Sequence, residues 1–371
     1  NAADSADDLY ALQYRPDLAA SATNAFADVA FFASGGAEMA GTYLLRNGAG
    51  AGLVSRGTGY AGAAAADSTA AATRIDIVGL TDVLGTGNLR FASNGSVTLT
   101  ELAGDLRVGR IASTTNDVTL TSPANIVDAA DGDTAVPSGD AAADVLGRLL
   151  TLTATTGGVG SATNWIEIDS SFAETGGLIA LARDDLFFDE TTGAMNVVTV
   201  RSTTGSVSLR TTAGSILDGN SLVTASGQDS WNVQGASANL DANGGGIGGG
   251  PNGDFEIDSS LPSAGRLAAE ADDDIFITEI DGVLNVVLAE SLEGSVTLTA
   301  RESATDTDED LVLDLFGAGA VRLGQSDART LTSARIAAGV NVTINAGEDV
   351  PAATHGQIPG GRDVGTAAVR P

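Results

Sequence analysis

The chain has no cysteine and no lysine, a single histidine, and aromatic residues at only 4% of its 371 positions. Without cysteine there are no disulfides and no thiolate metal sites, and thiols give no clue to redox compartment. All 18 basic residues are arginine. The lone histidine, His355, lies in an irregular tail, so a Ser-His-Asp arrangement would have to rest on a residue poorly placed for it. Proline is scarce at 8 residues, which argues against Pro-rich linkers. No apolar run is long enough to span a bilayer. No phosphate loop follows a strand and opens a helix. The run Gly244-Gly245-Gly246-Ile247-Gly248-Gly249-Gly250 aligns loosely with Gly157-Gly158-Val159-Gly160 and reads as a repeated turn. No signal peptide is visible, the first residue is Asn1 and the last two are Arg370-Pro371, so a processed product or a fragment of a longer chain is expected.

What the chain does have is small and β-branched apolar residues, many glycines (48) and excess acid: 48 Asp and Glu against 18 basic residues, a formal charge of −30. Such a surface repels nucleic-acid phosphates and anionic lipid, and favours divalent cations, salt or a cationic partner. Ala, Val, Leu and Ile with few rings suit thin layers of short strands better than a bulky globular core.

The strongest signal is an internal repeat. Residues 166–211 align without a gap on residues 255–300 at an offset of 89. Glu167-Ile168-Asp169-Ser170-Ser171 falls on Glu256-Ile257-Asp258-Ser259-Ser260, and Asp184-Asp185-Leu186-Phe187 on Asp273-Asp274-Ile275-Phe276. A third copy lies 89 residues earlier, where Glu101 matches Glu190 and Glu279, and Val118 and Leu120 match Val207 and Leu209. Ala124-Asn125-Ile126-Val127-Asp128 resembles Gly214-Ser215-Ile216-Leu217-Asp218 after a slip of one residue. Within each copy, runs such as Ser96-Val97-Thr98-Leu99-Thr100, Asp117-Val118-Thr119-Leu120-Thr121 and Ser295-Val296-Thr297-Leu298-Thr299 alternate apolar and hydroxyl residues. Period-two alternation marks strands with one buried and one wet face. The expected fold is all-β: a right-handed parallel β-helix, or β-solenoid, with 89-residue super-repeats of about four coils, each of roughly 20–25 residues. The rival is a series of tandem β-sandwich domains, which the repeat length also fits.

Three segments follow. Residues 1–72 form an Ala/Gly-rich N-terminal cap, linker or adapter, in which residues 17–42 suit one or two helices or a cap. Residues 73–348 form the repeat region, and residues 349–371 an irregular tail. Trp165 and Trp231 do not recur between copies, and each is either a glycan or subunit contact or packed under a loop.

Acidic residues carry the chemistry. Asp184-Asp185 and Asp272-Asp273-Asp274 recur with the repeat and precede a strand, which favours a turn role over a catalytic pair. Asp128, Asp131 and Asp133, and separately Asp306, Asp308, Glu309 and Asp310, gather hard oxygen ligands in short loops, making calcium the candidate cofactor. Neither run fits an EF-hand loop. No residue is assigned a catalytic role.

The segments Gly205-Ser206-Val207-Ser208-Leu209, Gly214-Ser215-Ile216-Leu217-Asp218 and Asp274-Ile275-Phe276-Ile277-Thr278-Glu279 resemble the repeats of very large bacterial exoproteins, and are similar to filamentous-haemagglutinin-type adhesin repeats. The resemblance covers about residues 73–346 and implies a right-handed β-helix, secretion, and a role in adhesion, sheath or fibre formation at the bacterial cell surface. The expected function is a non-enzymatic structural or adhesive surface protein, assembling end to end with copies of itself or with neighbouring repeats of a larger chain. The alternatives are a calcium-stabilised adhesin module that binds a glycan or host surface, and a β-helical polysaccharide-degrading enzyme. No nucleic-acid partner and no membrane span are expected.

Overall fold

A computed structural model describes residues 96–129, 143–171, 176–220, 230–249, 253–259, 265–301, 311–313 and 331–346 with their side chains, and otherwise mainly the backbone of further strands between residues 7 and 330. The described residues contain strands and no helix. Nearly all strands belong to two large sheets, one of 15 strands and one of 13.

From Val97 to Ala300 the chain changes sheet at almost every strand. Val97–Glu101 lies in the first sheet, Leu106–Ser113 in the second, Val118–Ser122 in the first, and so on to Val296–Ala300. Every pairing between large-sheet strands from Ile75–Val83 through Val342–Ala346 is parallel. Parallel neighbours are the opposite of the antiparallel ladders of an immunoglobulin-like sandwich. The architecture is therefore all-β with two stacked parallel sheets, consistent with a β-solenoid.

The reason lies in the alternation. Val97, Leu99, Val118, Leu120, Leu150 and Leu152 are fully buried, while the hydroxyl residues between them are half-exposed. A four- or five-residue strand with one apolar face is not stable alone. Laid in register on its neighbour, it shares its backbone hydrogen bonds and puts Val on Val and Leu on Leu: Val97 faces Val118, and Leu99, Leu120 and Leu152 follow one another. Each such side chain contributes about 1.5–3 kcal/mol by burial. One continuous core runs from Leu89 to Ile336.

Strands 89 residues apart match in length and position. Val97–Glu101, Leu186–Glu190 and Ile275–Glu279 form one series, and Leu106–Ser113, Met195–Ser202 and Leu284–Ser291 another. Yet Leu186–Glu190 lies in the sheet opposite to its two counterparts. The long strands of the second series each carry a register shift against the preceding strand, at residues 109, 198 and 287. Each also serves two short strands at once. Leu106–Ser113 pairs with Ile126–Asp128 along one half and Val145–Leu146 along the other, and Met195–Ser202 pairs likewise with Ile216–Asp218 and Val233–Gln234. Two short strands separated in sequence therefore share one long strand.

At the N-terminal side, Asp7–Pro16 pairs antiparallel with Ile75–Val83, and Asp28–Ala30 pairs antiparallel with Leu89–Ser93. The segment read as one or two helices or a cap thus holds Asp28–Ala30 and the start of Gly41–Asn47 as strands, and its remainder lies outside the described residues, as does the tail from residue 349.

Candidate functional site: a buried carboxylate cluster

The split strand brings acids together. Asp128 ends the strand Ile126–Asp128, and Asp144 immediately precedes Val145–Leu146. Both short strands lie on Leu106–Ser113, so the end of one and the start of the other are neighbours. The next strand, Ile166–Asp169, supplies Glu167. The backbone holds Asp144 between its neighbours: Asp144 N–H donates to the Glu167 carbonyl at 2.8 Å, and Ile111 N–H donates to the Asp144 carbonyl at 2.6 Å. One carboxylate oxygen from each of Asp128, Asp144 and Glu167 lies within 4.8 Å of the other two. All three residues are buried.

Three carboxylates cannot all stay charged in so dry a place. Burial, followed by the negative charges of Asp128 and Glu167, pushes the Asp144 carboxyl up to about 11. Near neutral pH it holds a proton that bridges to Glu167. Alternatively a hard cation replaces the proton, because three converging carboxylates are the donor set calcium takes, completed by carbonyl or water oxygens.

The next copy treats the same place differently. Asp218 and Glu256 stand for Asp128 and Glu167, but Asn232 stands for Asp144. Its amide donates to Asp218 Oδ1 at 2.6 Å and to the Val197 carbonyl at 2.9 Å, and its Oδ1 accepts the Glu256 N–H at 2.9 Å. Arg301 reaches Glu256 at 3.8 Å. In the third copy, Arg335 occupies the place of Asp144 and Asn232, before Ile336, and pairs with Glu290. The series Asp, Asn, Arg leaves the first copy alone in carrying a third acid.

A second set of buried acids recurs unchanged. Glu101 accepts the Thr81 hydroxyl at 2.7 Å. Glu190 accepts both the N–H and the hydroxyl of Ser170, and Glu279 those of Ser259. Burial pushes the Glu190 carboxyl up to about 8 against these hydrogen bonds, and Glu279 well above its ordinary value.

Among the described residues, Asp128 is the one acid singled out by sequence that is brought into the cluster. Asp131, Asp133, Asp306, Asp308, Glu309, Asp310 and His355 lie outside the described residues. Asp185 Oδ1 accepts the Ser206 N–H at 2.7 Å, Asp274 Oδ1 the Ser295 N–H at 2.6 Å, and Asp272 Oδ2 the Gly244 N–H at 2.7 Å. These acids hold one turn to the next, a structural task. Trp165 is fully buried against Phe187, with ring centroids 5.5 Å apart, which removes it as a glycan platform. Trp231 is half-buried. Sequence reading missed Asp144 and Glu167 as partners of Asp128. Glu167 sits in the repeated Glu-Ile-Asp-Ser-Ser motif, but nothing local ties it to an acid 23 positions earlier.

The fold and this cluster define an all-β protein of two parallel sheets with a buried acidic centre at one split strand. Compared with known proteins, the chain matches no family model, no curated protein and no solved structure.

Proposed function

We propose that this chain is a non-enzymatic structural or adhesive protein of the bacterial cell surface, a right-handed β-solenoid of 89-residue units, assembling end to end into a fibre, sheath or layer. Right-handedness follows from the near-universal hand of parallel crossovers. The supporting observation is the uninterrupted parallel pairing from Ile75–Val83 to Val342–Ala346, with one core from Leu89 to Ile336. Each 89-residue unit spans seven sheet positions when a pair of short strands on one long strand counts once. Seven is odd, so on this reading three and a half coils make a unit, beside an expectation of about four. Successive units therefore exchange sheets, with Leu186–Glu190 opposite Val97–Glu101 and Ile275–Glu279. At the far end, Val342 and Ile344 of the last described strand are only half covered, although they pack on the core. A strand edge with apolar residues beside it accepts a further coil from another unit or copy. Electron microscopy and sedimentation of the purified chain test the reading: concentration-dependent end-to-end particles support it, and monomers at every concentration reject assembly.

A second reading, a module stabilised by calcium and binding a glycan or host surface, draws support from the Asp128, Asp144 and Glu167 cluster. Melting with added calcium and with chelator tests it. A shift present in the parent and lost in Asp144→Asn supports the cation, and an unchanged melting temperature removes it.

A further inference from the structure

The two sheets present different outer faces. On the second, a single column of facing residues runs Glu167, Asp189, Arg210, Asp241, Glu270 and Glu290, all acidic or basic, with Glu167, Asp189 and Asp241 buried. Arg210 bridges Asp189 at 3.2 Å and Asp241 at 3.5 Å. On the first, two columns run side by side over five strands. One is Val78, Thr98, Thr119, Thr151 and Ile179, and the other is Leu80, Thr100, Thr121, Thr153 and Leu181. None of these ten residues is charged, in a chain of formal charge −30. The second column meets a charge where Arg201 follows Leu181, while Thr199 follows Ile179 in the first.

The face is regular in two directions. Threonines repeat at roughly 4.8 Å down each column, the spacing of neighbouring strands, and at roughly 6.7 Å between columns, two residues along a strand. Beneath the threonines, the inward Val97, Leu99, Val118, Leu120, Leu150 and Leu152 are fully buried, which anchors these strands to the core. β-Branched threonine has few side-chain rotamers, which keeps hydroxyl and methyl groups in ranks.

What fits such a face is set by its area and charge. Five strands by two columns offer roughly 300 Å², well short of the roughly 800 Å² per partner that a stable protein contact needs. A second copy is also repelled by the like charge around it. The absence of charge favours a neutral partner, and the two-dimensional repeat favours one that is itself a lattice. Oxygen atoms on faces of hexagonal ice repeat at closely similar intervals. Threonine hydroxyls replace lattice oxygens while the methyls hold adjoining water in place. We propose that the Thr98/Thr100, Thr119/Thr121, Thr151/Thr153 face binds ice.

Thermal hysteresis and partition of the full chain into slowly growing ice test this directly. The parent is expected to shape ice crystals and to concentrate in the ice fraction. Thr119→Tyr and Thr121→Tyr, placed in the middle of the array, are expected to lose most of both effects while keeping the parent's circular dichroism and melting temperature. Should either tyrosine variant fold poorly, Thr119→Val preserves the shape and removes one hydroxyl, and a reduced hysteresis is expected. Glu270→Gln on the opposite sheet is expected to behave as the parent. A parent that neither shapes ice nor enters it overturns the proposal, as do folded tyrosine variants of undiminished activity. Binding to a neutral polysaccharide without ice shaping also overturns it, and assigns the face to a glycan instead.

Discussion

The Ser259 hydroxyl lies 2.5 Å from Glu279 Oε2, and both groups are buried one coil apart. Ser170 and Glu190 repeat the contact 89 residues earlier at the same distance. A carboxyl group thus closes the corner of successive coils, where an apolar side chain would leave the serine N–H unsatisfied.

The pH dependence of stability follows. The Glu190 carboxyl is raised in the fold to about 8 from an ordinary 4.5. Its contribution is therefore fully present below the unfolded value and is lost as pH rises through the folded one. Glu279 acts in the same direction. The loss from Glu190 is on the order of 4 kcal/mol between about pH 4.5 and 8. Melting temperature should fall over that range at constant salt, and Glu190→Gln should flatten the fall, since the amide oxygen still accepts from Ser170 and carries no charge.

Exchanging Asp144 and Asn232 should move stability in opposite directions. With chelator present, Asp144→Asn is expected to raise stability by about 2–4 kcal/mol at pH 7, because protonating the acid there works against an ordinary value far below neutral. The gain should vanish near pH 4, where the unfolded chain is protonated too. Asn232→Asp removes the amide donated to Asp218 and should lower stability by a similar amount. Denaturant unfolding of both variants across pH measures this.

Gly246 cannot take a side chain. A Cβ there would lie 2.4 Å from the Asp274 carbonyl oxygen, and at Gly158 2.4 Å from that of Asp185. Alanine at either should cost more than about 2 kcal/mol, since backbone must move. Alanine at Gly104 meets open space and only a left-handed φ of 75°. That variant should lose about 1 kcal/mol. Thermal unfolding of the three variants separates steric from conformational loss.

Leu209 stacks between Phe188 and Leu240 in the core ladder. Leu209→Ala should cost about 2–5 kcal/mol. Because each coil touches mainly its neighbours, amide exchange should quicken nearest residue 209 and fade toward both ends.

Much of this was legible beforehand. The gapless match of residues 166–211 with 255–300 located strands such as Leu186–Glu190 and Ile275–Glu279. The one-residue slip at Asp128 and Asp218 was visible too, but that Val145–Leu146 and Val233–Gln234 share a long strand with the short strands before them was not. The recurring Asp185 and Asp274 read as turn residues, and they do hold turns. The acidic centre was legible only through Asp128, because Asp144 and Glu167 reach it by stacking rather than by sequence proximity.

The sequence by itself determined the strands, their buried sides and their recurrence, because alternation and repetition are properties of the chain read in order. Only the tertiary structure decided which sheet each strand joins, that one 89-residue step carries Leu186–Glu190 to the opposite sheet, and which side chains become neighbours. Alternation divides a strand into two faces but does not record what lies across the coil. That is why the threonine columns and the Asp128, Asp144 and Glu167 cluster exist only once the coils are stacked.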